Sequence, residues 1–202
     1  PPDLDPDVIG AILKGGAEVA GADGVTVVGG HTVTAPEPLY GLAVTGTLPA
    51  GGAWTNAGAQ IGDVLCLTKP LGTGIVCNAL RKDLADTATI AAAVASMTTT
   101  NRAAAERVRA AGPHAVVDVT GFGLVGHLHL TAGAIPGGTR RNRDAAETYL
   151  AVAPDADEAR VLLACDAQTS GGLLAAVPAD ADPPGTVVGR IVAGEPGTVA
   201  LV

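Results

Sequence analysis

Val117-Asp118-Val119-Thr120-Gly121-Phe122-Gly123-Leu124 is the stretch from which the organisation of the chain can be read. The apolar run over residues 114–119 predicts a strand, and Thr120-Gly121-Phe122-Gly123 turns it into a helix over residues 124–132. Asp118 thus leaves the end of an apolar strand, and the glycine turn after it can present backbone amides at a helix N-terminus. Such a turn suits an anion, and a carboxylate oxygen suits a hard cation such as Mg2+. A second reading fits the same spacing, because an aspartate in this place often does no more than cap the turn.

The same alternation of strand, glycine turn and helix recurs on both sides. Upstream, residues 64–68 predict a strand, Lys69-Pro70-Leu71-Gly72-Thr73-Gly74 a turn, and residues 75–80 a helix. Residues 87–111 are Ala-rich with Ser-Met-Thr-Thr-Thr in the middle, which fits one long helix or two stacked ones. Downstream, residues 135–143 read as a glycine-bearing loop, and residues 173–177, 187–192 and 199–202 as short strands. Near the start, Asp5-Pro6 before Val8, Ile9, Ile12 and Leu13 signals an N-cap, a proline in the first turn and an apolar stripe. That helix should end near residues 21–24, with strands at 25–28 and 40–47. Residues 49–62, rich in Gly, Ala and Asn, predict a boundary, dividing the chain into residues 1–50 and 51–202. The whole pattern is an α+β fold of mixed α/β layers.

Composition narrows the function. Of 202 residues, 48% are hydrophobic but only 2% aromatic, so the core is built from Ala, Val, Leu and Ile. A net charge of −8 repels phosphate backbones, which argues against nucleic-acid binding. It does not exclude nucleotides, whose phosphates metal ions and backbone amides can neutralise. No apolar run approaches the ~20 residues that span a bilayer, and nothing resembles a signal peptide, so the expected setting is cytoplasmic and away from membranes. Cys66, Cys77 and Cys165 lack CxxC spacing, as expected of small core residues.

Individual motifs are weak. Val28-Gly29-Gly30-His31-Thr32 ends a predicted strand in bare backbone that a phosphate can approach, although a plain turn has the same composition. Residues 67–74 lack the G-x-x-x-x-G-K-[ST] order, which excludes a Walker A loop and leaves only an anion-tolerant helix start. His127 and His129 lie two apart on a helix and face different ways, against a zinc site. Asp166-Ala167-Gln168-Thr169-Ser170-Gly171-Gly172-Leu173-Leu174 reads as a polar turn entering a buried strand. No nucleophile stands out.

Taken in order, these stretches resemble the selenophosphate synthetase (selenide, water dikinase) family. The resemblance is carried by Gly29-Gly30-His31-Thr32 with Pro36-Glu37-Pro38, by Tyr40-Gly41-Leu42-Ala43-Val44-Thr45-Gly46, and by Trp54-Thr55-Asn56-Ala57-Gly58-Ala59-Gln60. It continues through residues 67–75 and 118–127, Pro136-Gly137-Gly138-Thr139 with Arg141-Asn142, and residues 166–174. It implies an aminoimidazole-ribonucleotide-synthetase-like fold of two domains, with residues 1–50 the end of an N-terminal ATP-binding domain and 51–202 the C-terminal domain. It further implies a homodimer that converts ATP, selenide and water into selenophosphate, AMP and phosphate. By motif position, Asp118 corresponds to a Mg2+ ligand, and Gly29, Gly30 and His31 to an ATP-binding segment.

The chain also departs from the family pattern. The reactive Cys or selenocysteine, its neighbouring Lys and further metal-binding aspartates are expected upstream of Pro1, so no catalytic residue is assigned within these residues, which alone should be inactive. A few tens of residues of the family pattern are missing between Ala134 and Ile135. Two alternatives stay open: a sister ATP-dependent synthetase or kinase, and a non-catalytic dimerisation or regulatory module of the same fold.

Overall fold

A computed structural model describes residues 1–131 and 139–202 of the chain. The expected gap between Ala134 and Ile135 and the residues Pro136-Gly137-Gly138 lie outside the described residues. Two compact units emerge, Pro1–Ala53 and Trp54–Val202.

In the first unit, helix α1 (Pro6–Ala22) begins as its sequence demands. The Asp5 carboxylate accepts the Asp7 backbone N–H at 2.9 Å, and Pro6 occupies the first turn, where no donor is lost. Tyr40 packs against Gly16 on this helix, where any Cβ would run into the phenol ring. The strands expected over residues 25–28 and 40–47 do not form among the described residues. Their alternating sequence is present, but a strand also needs a ladder partner and a covered face. Neither is supplied: Val28 is 95% exposed and Val44 77%.

The second unit is built on an antiparallel sheet of β1 (Val64–Leu67), β2 (Ala115–Asp118), β4 (Leu173–Val177) and β5 (Thr186–Arg190), in the order β2-β4-β1-β5. A parallel pair, β3 (Leu150–Val152) with β6 (Val199–Leu201), forms a second small sheet. Register pairs Leu65 with Ala176 and Leu67 with Leu174, whereas Val64 pairs with Val177 and Cys66 with Ala175. Because side chains alternate between faces, one face gathers Leu65, Leu67, Leu174 and Ala176, and the other Val64, Cys66, Ala175 and Val177. Both faces are buried. This explains why β1 and β4 read as continuous apolar runs rather than alternating ones. Leu124, from α5 (Gly123–Thr131), closes the first face, and Val108, from α4 (Arg102–Ala110), the second.

Residues 87–111 resolve into two helices, α3 (Thr87–Thr98) and α4, separated at Thr99 to Asn101. Between them and β1 lies α2 (Thr73–Leu80). Two further helices went unread in the sequence. Residues 139–143 belong to α6 (Thr139–Ala146) and not to a loop. Its Arg and Ala residues favour helix, and its i, i+4 pair Asn142 and Ala146 is buried. Helix α7 (Glu158–Ala164) is capped by the Asp157 carboxylate, which accepts the Ala159 N–H at 2.9 Å.

This core predicts a contrast in stability. Leu174→Ala, at a residue 1% exposed in the central strand β4, should lower unfolding free energy by ~2–5 kcal/mol in urea titrations. Val28→Ala should leave the midpoint unchanged.

Candidate functional site

Three stretches that look unrelated in sequence are tied together by the loop between α7 and β4. Asp166 and Gln168 reach across to the start of α2: the Gln168 side-chain oxygen accepts from Gly72 N–H (3.1 Å), Thr73 N–H (3.3 Å) and the Thr73 hydroxyl (3.1 Å). The Asp166 carboxylate accepts from Ile75 N–H at 3.1 Å. The helix-start amides that a free anion would need are therefore already engaged by side chains of this chain. Further along the loop, Gln168 N–H donates to Thr120 O (2.9 Å), and Gly172 O accepts from Val119 N–H (2.8 Å). These two bonds hold the backbone just beyond Asp118. Gly171 and Gly123 are required by this close approach. A Cβ on Gly171 would overlap the Val119 carbonyl, and one on Gly123, whose φ is +69°, would lie 2.7 Å from the Cys165 backbone.

Asp118 stands at the exposed end of β2, paired in register with Leu173. Among the described residues no salt bridge engages its carboxylate. His127, one helical turn into α5, is buried and packs 5.4 Å from the Phe122 ring. Its Nε2 accepts the Thr120 backbone N–H at 2.9 Å. An amide can only donate, so the neutral ring carries its proton on Nδ1, which is buried without a partner among the described residues. Burial pushes the His127 pKa below its usual value, with the nearby Asp118 charge opposing weakly. His127 is thus a neutral support of the turn. His129 is occupied elsewhere, stacked on Tyr149 at 3.6 Å and bonded to Gly197 O at 2.7 Å.

In the first unit, Gly29, Gly30 and His31 line a cleft of about 630 Å³ with Ile9, Leu13 and Tyr40. All three are exposed. Neither glycine has a positive φ, and a Cβ on either would meet nothing within 4 Å. Bare backbone here is demanded by neither conformation nor packing. The cysteines are free thiols, and burial raises the pKa of Cys66 and Cys165, which suits core residues and not nucleophiles. Among the described residues no group of three or more His, Cys, Asp or Glu is placed to hold a metal. No described helix is long and apolar enough to cross a membrane.

Residues 60–201 match the family "AIR synthase related protein, C-terminal domain". The chain is 38% identical to a selenide, water dikinase of Paraburkholderia xenovorans, over 98% of this chain and 67% of that protein. The chain belongs to the selenide, water dikinase family. Members from Trichlorobacter lovleyi and Aeromonas salmonicida are 41% and 38% identical, each over 86% of this chain and 58% and 57% of their own lengths. The chain thus spans between about half and two thirds of the dikinases it matches. Among solved structures, a thiamine-monophosphate kinase from Stenotrophomonas maltophilia is similar at TM-score 0.35 and 18% identity, over 66% of this chain and 45% of that one. That likeness is too distant to bear on function. The family membership and the mixed α/β fold agree with the motif reading. This is a family of kinase-type enzymes, named for selenide.

The lowered pKa of His127 makes acid stability of this dikinase-family chain a test of the turn. Below about pH 6.5 the unfolded chain takes up a proton that folded His127 resists. Its stabilising effect is complete above that pH and is lost as pH falls from there through the lowered folded-state pKa. His127→Gln keeps an acceptor for Thr120 N–H without the titration. The melting temperature of the unaltered chain should fall more steeply than that of the variant between pH 7 and 5.

Proposed function

We propose that this chain is part of a cytoplasmic, homodimeric enzyme that makes selenophosphate from selenide, ATP and water, releasing AMP and phosphate. The observation that carries this reading is the Asp118 carboxylate, exposed and without a salt bridge among the described residues, at the end of a strand whose next residues are clamped, in a chain of the dikinase family. Residues 1–50 are assigned to an ATP-binding domain and residues 51–202 to the C-terminal domain.

Mg2+ fits this position in a particular way. It needs near-octahedral oxygen coordination and is commonly held by one or two carboxylates, with waters and substrate phosphates supplying the rest. A lone exposed carboxylate meets that description, whereas a cage of protein ligands does not occur among the described residues. Bound there, Mg2+ would neutralise charge on the polyphosphate. The residues of the chain do the positioning. The Val119 and Thr120 backbone bonds fix where the carboxylate starts, and neutral His127 adds no competing cation.

For ATP, the reading rests on Gly29, Gly30 and His31 at the cleft of the first unit. Glycines with neither a conformational nor a packing reason are accounted for by a ligand that must approach the backbone closely. His31, exposed beside them, offers a donor to a phosphate oxygen.

Two experiments on the full-length polypeptide test these roles. Asp118→Ala and Asp118→Asn should each lower selenide-dependent AMP formation by about tenfold or more at fixed Mg2+, with circular dichroism unchanged. Near-normal rates in both would remove the metal assignment. Gly30→Val should weaken ATP binding in calorimetry while leaving the melting temperature in place, because the side chain enters open space. Unaltered affinity would return the glycine pair to a simple turn.

A further inference from the structure

Lys69 is an interior lysine. It is only 9% exposed, and among the described residues no carboxylate lies within ion-pair distance of it. Its ammonium donates instead to two backbone carbonyls, Thr99 O at 2.6 Å and Ser170 O at 2.8 Å. Thr99 caps the C-terminus of α3, where unpaired carbonyls concentrate negative potential. Ser170 adopts φ of +51°, a left-handed conformation that a serine rarely takes. Burying an ammonium costs desolvation, which its hydrogen bonds to the two carbonyls offset. A charged group with several donors can hold two carbonyls from distant parts of the chain at once.

The next two residues of the loop are held in the same manner. Gly171 O accepts from the Asn101 side-chain amide at 2.9 Å, and Gly172 O accepts from Val119 N–H at 2.8 Å. Three consecutive carbonyls, from residues 170, 171 and 172, are thus taken by Lys69, Asn101 and Val119 in turn. The third of these bonds reaches the residue directly after Asp118. The row begins at the Lys69 ammonium and ends at the backbone of Val119, next to Asp118.

We propose that Lys69 is a positioning residue: by fixing the Ser170 carbonyl it locks the 166–172 loop against Val119 and so sets the direction in which Asp118 presents its carboxylate to a divalent cation. The inference rests on the reading of Asp118 as a cation ligand. Lys69 touches neither metal nor substrate in this scheme. Its effect passes through backbone hydrogen bonds, so it should alter cation affinity without supplying a ligand.

The test uses the full-length polypeptide with Mn2+ as the probe, in the presence of a non-hydrolysable ATP analogue. Free Mn2+ is measured by electron paramagnetic resonance, and amide exchange at Val119 and Gln168 by mass spectrometry or NMR. Lys69→Met should speed exchange at both amides and weaken Mn2+ binding by roughly tenfold, the effect typical of groups that orient a metal ligand. Lys69→Arg, which keeps charge and several donors, should restore most of the affinity. Should Lys69→Met fail to fold, Asn101→Ala loosens the next carbonyl of the same row and should give the same pair of changes. A folded Lys69→Met protein with unaltered Mn2+ affinity, while Asp118→Ala weakens it, overturns the role of Lys69 and leaves the ligand assignment standing. Unaltered affinity in Asp118→Ala itself overturns the ligand assignment, and the Lys69 inference falls with it.

Discussion

The loop from Asp166 to Gly172 is the constraint on which the second unit depends. It joins α7 to β4, and its groups are shared among the start of α2, the end of α3 and the turn after β2. Asp166, Gln168, Gly171 and Gly172 of this loop are buried, and buried carbonyls and amides must find partners within the chain. The partners come from segments about 50 to 100 residues away in sequence. The glycines at 171 and 172 let those segments come close, since side chains there would strike Val119 and Lys69.

The apolar core and this polar network serve each other. Small residues on β4, Ala175 and Ala176, let both covering layers approach the sheet, and the sheet carries Val119 and Thr120 to the point where the loop can bond them. The result is a rigid mount beneath one exposed carboxylate. The price is paid at His127, whose Nδ1 proton is buried without an acceptor among the described residues, and at Lys69, an interior ammonium that donates to two carbonyls.

The first unit differs in kind. Its helix is well specified by local signals, yet its apolar residues stay exposed along Val25 to Leu48 and no ladder forms among them. Its cleft holds Gly29, Gly30 and His31 at the surface without an internal reason for the glycines. The two units illustrate how separately local and long-range terms can act in one chain.

Much of this was legible in sequence because it rests on local chemistry. The cap of α1, the apolar runs of β1 and β4, and the turn after Asp118 each follow from a few adjacent residues, whereas the Ser-Met-Thr-Thr-Thr stretch left one helix or two open until the structure divided them. The ordered motifs also identified the family. Long-range pairing was not legible. Residues 25–28 and 40–47 have the alternation of strands, but a strand exists only where a second strand bonds it. Helix α6 was hidden by the glycines before it, because its stability comes from burying Asn142 and Ala146 against other segments. Gln168 and Lys69 read as ordinary loop residues, and nothing adjacent marks them as crosslinks. Sequence by itself determined the strands β1, β2 and β4, the helices beside them and the family, through propensities and periodicities that act within a few residues. Tertiary structure alone decided which carbonyl each polar side chain would hold, because that choice is made by burial across distances the local sequence does not encode.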